Sequence, residues 1–275
     1  MVEVILLNCA RGEDVTQQVF SNALSNPNLA FLLLQEPHLN PHHQPHHLEG
    51  FEVFAPTQWH PKCCTYIRKS FNFKPTVSLS EADCFLGISV HTPTTSFHIF
   101  NLYSPGRPFA AEALLSRFTA PQNSLLLGDL NCHHPLWYGD KSADHHLLIA
   151  NHQEVGDSIV DHLHRNNYTL INDLEDYTHF PRDHNKSPTI IDLAFASGKC
   201  WEMTSGYHIA DLTTSDHKSI TLHLQLSPNP EKPSLNWKKT DWPVFSSFFA
   251  TLPPPNILTP NDINNFTKTL DETLT

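Results

Sequence analysis

Along the first 226 residues, short apolar runs alternate with clusters of turn-forming residues, and only a few stretches show helical spacing. The runs that read as strands are Val2–Asn8, Leu29–Gln35, Cys63–Arg68, Cys84–His91, Ser96–Leu102, Ser124–Asp129, Tyr168–Ile171, Thr189–Ala196 and Ser219–Leu226. Helical spacing marks Asp14–Leu24, Ala110–Phe118 and Gln153–Arg165. In the last of these, Val155, Ile159 and Leu163 fall four apart on one face, with Val160 beside them. Many extended segments and few helices predict two packed, mostly antiparallel sheets with helices outside them, a layered α+β architecture. No internal repeat is visible.

The pattern breaks after Leu226. Pro228, Pro230, Pro233, Pro243, the run Pro253-Pro254-Pro255 and Pro260 interrupt any continuous element. A domain over residues 1–226 is therefore expected, followed by a proline-rich extension or linker over 227–275 with a last helix at Asp262–Leu274. The patch His42-His43-Gln44-Pro45-His46-His47 has two readings, a solvated, proline-broken loop or a metal-binding tract. The opening Met1-Val2-Glu3-Val4-Ile5-Leu6-Leu7-Asn8 is too short and too acidic for a signal peptide and reads as a buried strand. So abrupt a start suggests a domain cut from a longer protein. No apolar run approaches the roughly 18 residues of a membrane span. The six cysteines form no Cys-x-x-Cys pair, which favours a reduced compartment over a disulfide framework.

Chemistry concentrates where the apolar runs end. In Leu125-Leu126-Leu127-Gly128-Asp129-Leu130-Asn131 an acid and an amide emerge two apart and so project the same way from the strand's mouth. A carboxylate there can orient or deprotonate water, and an amide can hold a phosphate oxygen or the nucleophile. Further runs end on or carry polar groups of the same kind. They are Ile5-Leu6-Leu7-Asn8, Leu34-Gln35-Glu36-Pro37, Ile99-Phe100-Asn101-Leu102-Tyr103, Ile190-Ile191-Asp192-Leu193 and, before the final strand, Ser215-Asp216-His217-Lys218. Each alone reads as an ordinary turn or strand end. Together they describe a site built where many strands end.

The order Asn8, Glu36, Tyr103, Gly128-Asp129-Leu130-Asn131, Asp192, Ser215-Asp216-His217 resembles the endonuclease/exonuclease/phosphatase superfamily over nearly all of residues 1–226. The continuation Asn131-Cys132-His133-His134-Pro135-Leu136-Trp137, the string Asp192-Leu193-Ala194-Phe195-Ala196 and Gln35-Glu36-Pro37 resemble the endonuclease domains of LINE-type (non-LTR) retrotransposons. Abasic-site repair endonucleases and secreted deoxyribonucleases share the core motifs but not this continuation. The segment Asn236-Trp237-Lys238-Lys239-Thr240-Asp241-Trp242 resembles the link such polyproteins make toward a reverse transcriptase. Leu130, where phenylalanine is frequent, is the one atypical core position.

The resemblance implies a four-layer α/β sandwich and a divalent cation, magnesium or manganese. Glu36 would bind the metal with Asn8 beside it and Asp216 adjacent. Asp129 would position or activate the attacking water, Asn131 would fix the nucleophile and phosphate, and Tyr103 would contact the scissile phosphate. His217 would stabilise transition-state charge, with Asp192 holding its imidazole in the useful tautomer. Thr178 and Ser215 would contact phosphate or DNA. The loop Phe180–Pro188, carrying Arg182, His184 and Lys186, would read the minor groove by width and by A·T against G·C.

The implied activity is a magnesium-dependent endodeoxyribonuclease. It would nick double-stranded DNA to leave a 3′-hydroxyl that primes reverse transcription, with element RNA and a reverse transcriptase of the same polyprotein as further partners. It would work in the nucleus or cytoplasm, neither secreted nor in a membrane. The alternatives are a phosphoesterase acting on inositol phosphates or sphingomyelin, an abasic-site repair endonuclease, and a non-catalytic binding module. Charge qualifies the DNA reading. Seventeen basic against twenty-eight acidic residues leave −11 with histidine neutral, whereas DNA binding by counterion release favours basic proteins. Acids at a metal site partner the cation, and the twenty histidines add charge only when protonated. Weak, salt-sensitive DNA affinity is expected from this chain alone.

Overall fold

A computed structural model describes residues 1–105, 118–174 and 176–226, with a few single positions elsewhere. The expected helix at Ala110–Phe118 falls largely outside the described residues. The proline-rich 227–275 segment, its last helix and the tryptophan-lysine link fall there apart from two single positions. Met1–Asn229 forms one compact unit. Its strands are β1 (Val2–Asn8), β2 (Leu29–Gln35), β3 (Phe51–Phe54), β4 (Cys63–Arg68), β5 (Lys74–Glu81) and β6 (Phe85–His91). There follow β7 (Ser96–Tyr103), β8 (Ser124–Asp129), β9 (Tyr168–Leu170), β10 (Asp192–Ser197), β11 (Thr204–Ala210) and β12 (Ser219–Leu224). The helices are α1 (Glu13–Ser25), α2 (Pro135–Tyr138), α3 (His146–Arg165) and α4 (Lys199–Met203).

The strands form two six-stranded sheets, ordered β11-β12-β1-β2-β4-β3 and β5-β6-β7-β8-β10-β9. Each has one parallel pair, β1 with β2 and β7 with β8, in an otherwise antiparallel ladder. Side-chain alternation splits the apolar residues among three layers. Val2, Val4 and Leu6 of β1 and Leu125 and Leu127 of β8 meet between the sheets. Ile5 and Leu7 point outward onto Val15, Val19 and Ala23 of α1. Leu126, Leu193 and Phe195 point outward onto Val155, Ile159 and Leu163 of α3. Helix, sheet, sheet, helix: the four-layer expectation holds. Each fully buried leucine stabilises the fold by roughly 2 kcal/mol.

A polar cluster centred on Asn101 is buried between the layers. Asn101 Nδ2 donates to the carbonyls of Cys64 (2.9 Å) and Leu34 (3.3 Å), and its Oδ1 accepts from Gln35 Nε2 at 2.6 Å. The apolar run around Asn101 thus carries a tie between the two sheets. Such a tie specifies how they pack, because an unmade bond there costs about 1–3 kcal/mol.

The structure adds elements that the apolar pattern misses. β3, β5 and β11 are edge strands, and much of their length is exposed or half-buried. α3 starts seven residues before the expected Gln153. Its first turn exposes Leu147 and Leu148, which masks the amphipathic signal. β10 starts at Asp192 instead of Thr189, because the preceding amides bond elsewhere: Ile190 N–H to Tyr138 Oη and Ile191 N–H to Thr178 Oγ1. No helix among the described residues is long and apolar enough to cross a membrane.

Candidate active site

Topology brings the polar strand ends together. β1 beside β2 and β7 beside β8 run parallel, so Asn8 lies level with Gln35 and Tyr103 level with Asp129. The antiparallel β10 starts opposite, Asp192 facing Asp129. The two sheets meet through a hydrogen bond from Asn8 Nδ2 to Asp129 Oδ2 at 2.9 Å. Gly128 is required by this arrangement. A Cβ there would lie 1.8 Å from the Leu102 carbonyl oxygen, so no other residue lets β7 and β8 approach so closely just before Asp129.

Asp129 is buried and fully engaged. Besides Asn8, its Oδ1 accepts from the Asn131 amide at 2.9 Å and its Oδ2 from Asn131 Nδ2 at 3.2 Å. Asn131 Nδ2 also donates to the Ser104 carbonyl at 2.6 Å. Burial, with repulsion from Asp192, raises the Asp129 carboxyl to about 7. His217 Nδ1 lies 2.8 Å from Asp192 Oδ2. Burial alone would depress this imidazole, but Asp192, followed by Asp129 and Asp216, outweighs it and raises the pKa to about 9. Asp192 thus fixes Nδ1 as the proton-bearing nitrogen and leaves Nε2 for the cleft.

Thr178 is fully buried, and its Oγ1 accepts the amides of Ile191 (3.1 Å) and Asp192 (3.1 Å). As placed, this residue expected at the phosphate positions Asp192. Ser215 Oγ donates to the Asn8 carbonyl (2.8 Å) and accepts the His217 amide (3.1 Å), joining the His217 loop to β1. Trp137 and Tyr138 of α2, in and after the retrotransposon-like continuation, form a buried support. Trp137 Nε1 donates to the Cys132 carbonyl at 3.2 Å, and Tyr138 Oη accepts the Ile190 amide ahead of Asp192. Phe180–Pro188 is a hairpin closed by the His179–Thr189 bridge, with residues 182–187 exposed. Arg182 Nε lies 3.5 Å from Asp216 Oδ2, so the loop leans on the site.

Three features escape sequence reasoning. Arg11 pairs with Glu36, its terminal nitrogen 2.8 Å from Oε1. His179 lies with its ring centroid 4.5 Å from that of His217; it adjoins Thr178 in sequence, but alternation alone does not show which ring it meets. Finally, Ala10 (φ 46°), Arg11 (φ 58°), Glu36 (φ 40°) and Asn131 (φ 45°) all hold left-handed backbone at this mouth. Each costs about 1–2 kcal/mol and persists where surrounding bonds over-determine it. One such bond runs from the Arg11 amide to the Glu36 carbonyl at 2.8 Å.

The donor set suits a hard divalent cation. It is rich in oxygen, and the buried Asp192 Oδ1 and Asp216 Oδ1 have no hydrogen-bond partner. Among the described residues, the ligand atoms that converge within 4.8 Å are those of Asp129, Asp192 and His217. Glu36 and Asp216, expected as ligands, stand outside that group. Glu36 already holds a cation, the Arg11 guanidinium. The Tyr103 hydroxyl lies against Glu36, and burial, with the Glu36 and Asp129 charges, raises its pKa.

Residues 97–221 match the endonuclease-reverse transcriptase family. No curated protein matches the chain in sequence. Among solved structures, the fold is similar to the endonuclease domain of TRAS1, a telomere-specific non-LTR retrotransposon, with a TM-score of 0.67 at 17% identity over 82% of this chain and 100% of that one. It is similar to an AP endonuclease from Archaeoglobus fulgidus, with a TM-score of 0.64 at 14% identity and the same coverage, 82% and 100%. The 3′ phosphatase NExo from Neisseria, solved with product DNA hairpin, gives a TM-score of 0.59 at 15% identity, again over 82% and 100%. Residues 97–221 thus resemble that endonuclease family, and the described residues share the fold of these nucleases and phosphoesterases.

Proposed function

We propose that the chain is a magnesium-dependent endodeoxyribonuclease that nicks double-stranded DNA, leaving a 3′-hydroxyl suited to prime reverse transcription. The observation that carries this reading is the joining of Asn8, Asp129 and Asn131 to the Asp192–His217 pair at one strand mouth. The match of residues 97–221 to the endonuclease-reverse transcriptase family supports the substrate and the polymerase partner. The negative charge of −11 agrees with weak binding that leans on the cation and on other segments.

In this mechanism Glu36 would hold the cation, with Asn8 and Asp216 beside it and Arg11 displaced. When bound, a hard divalent ion polarises a phosphoryl oxygen and offsets charge on the phosphate. Asp129, with a pKa near neutral, accepts a proton from the attacking water. Asn131, anchored to the Ser104 carbonyl, orients that water and the phosphate. His217, protonated at neutral pH, donates from Nε2 to a phosphoryl oxygen as negative charge builds. Tyr103 contacts the scissile phosphate. The bond from phosphorus to the 3′-oxygen breaks, and that oxygen leaves with a proton from solvent.

The test is relaxation of supercoiled plasmid with magnesium, with and without EDTA, for the wild type and for Asp129→Ala and His217→Ala. Removing one preorganised group costs roughly 10²–10³ in rate, so a folded variant keeping more than about a tenth of the activity would show the assignment to be wrong. Plasmid left intact by the wild type while an inositol phosphate is hydrolysed would overturn the substrate.

A further inference from the structure

The histidine-rich patch after β2 is a built hairpin. Leu39 and Pro45 form an antiparallel bridge, the Asn40 amide donates to the Gln44 carbonyl at 2.9 Å, and Asn40 Oδ1 accepts the amides of His42 (2.9 Å) and Gln44 (3.1 Å). The backbone of both flanking histidines is pinned. The His38 amide donates to Thr16 Oγ1 on α1 at 3.2 Å, and the His46 carbonyl accepts from the Tyr66 hydroxyl on β4 at 2.8 Å. Their rings face each other across the hairpin, nearly parallel at 14°, with His38 Nδ1 only 3.1 Å from His46 Nε2.

We propose that His38 and His46 chelate a borderline divalent transition-metal ion such as zinc. With metal–nitrogen bonds of about 2.0–2.1 Å, two ligand nitrogens lie about 2.9 Å apart at a right angle and about 3.4 Å apart at a tetrahedral one. The observed 3.1 Å falls inside this span, so the ion needs ring rotation and no backbone movement. Two neutral imidazoles that share a hydrogen bond present one N–H and one lone pair. The donor ring shifts its proton to its other nitrogen, and both lone pairs then meet the ion with no net proton released. Imidazole suits zinc, nickel and copper, whereas magnesium prefers oxygen, so this site is chemically distinct from the oxygen-rich strand mouth. His38 also lines a cavity of about 340 Å³, together with His43 and His60 and with Arg11, Glu36 and Lys62. The His43 and His60 rings stand 3.8 Å apart there. The proposal does not rest on the nuclease reading.

The experiment is calorimetric titration of the EDTA-treated, dialysed chain with zinc ion. It uses the wild type, the double variant His38→Ala/His46→Ala, and the control His42→Ala/His47→Ala, which removes two exposed histidines of the same hairpin. The tightest zinc equivalent weakens at least about tenfold in the first variant and is unchanged in the control. Long-range ¹H–¹⁵N spectra of the wild type report the same event without mutation, since zinc shifts His38 Nδ1 and His46 Nε2 first. Equal zinc affinity in wild type and double variant, or a first shift at other histidines, would overturn the proposal.

Discussion

Replacing Asp192 with asparagine keeps the side chain's shape and removes the charge that holds His217 protonated. In the wild type the His217 pKa stands at about 9, and its main supports are the contact and hydrogen bond with Asp192. Without them burial is opposed only by the weaker effects of Asp129 and Asp216, so the pKa falls to about its ordinary 6.5 or below. That drop of about 2.5 units corresponds to about 3 kcal/mol. At about pH 7.5 the imidazolium falls from nearly all of the population to about a tenth. The asparagine also allows the wrong tautomer, since its amide can donate to Nδ1; the same change in hydrolase triads costs roughly 10⁴ in rate.

Stability follows with a definite sign. The pKa of His217 is raised in the folded state, so its contribution is complete below about 6.5 and is lost as pH climbs through 9. Asp129, raised from 3.8 to about 7, likewise lowers stability as pH climbs between those values. Urea denaturation of metal-free protein should therefore weaken from about pH 6.5 to 9 in the wild type and far less in Asp192→Asn. The assay is NMR titration of the His217 ring beside nicking rates over the same range. A His217 pKa still near 9 in the variant, or activity within about tenfold of wild type, would refute the reasoning.

Three other outcomes follow from the geometry. Gly128→Ala forces a Cβ onto the Leu102 carbonyl and should cost about 3 kcal/mol or more, read as a lower thermal midpoint; an unchanged midpoint would contradict the close approach of β7 and β8. Ala10→Gly should leave stability level or raise it by up to about 1 kcal/mol, because glycine takes the left-handed backbone freely; a clear loss in urea denaturation would argue against strain at that residue. Replacing residues 182–186 with Gly and Ser should redistribute nick positions on a mapped plasmid while catalysis persists; an unchanged pattern at an unchanged rate would remove the hairpin from target choice.

The sequence made the central strands legible because both their faces are buried. β1, β2 and β8 read as continuous apolar runs, and the two residues bracketing Leu130 were visible as an acid and an amide on one side. Edge strands were illegible for the opposite reason: β5 and β11 have little buried surface to pattern. At the site, residue types were readable but partnerships were not. Nothing in the sequence distance of 121 residues tells that Asn8 bonds Asp129, or that the Thr178 hydroxyl turns inward to hold Asp192. Arg11 lies three residues after Asn8 without any apolar pattern, and only the left-handed turn at Ala10 and Arg11 brings it to Glu36.

Hydrolysis that leaves a usable 3′ end is read out by treating closed-circular plasmid with the protein and magnesium. DNA polymerase and labelled nucleotides are then added without any other primer. Label is expected at the nicks in the wild-type reaction, and none when Asp129→Ala replaces the wild type or EDTA is present. Nicks that polymerase cannot extend until a phosphatase has removed a 3′-phosphate would contradict this expectation.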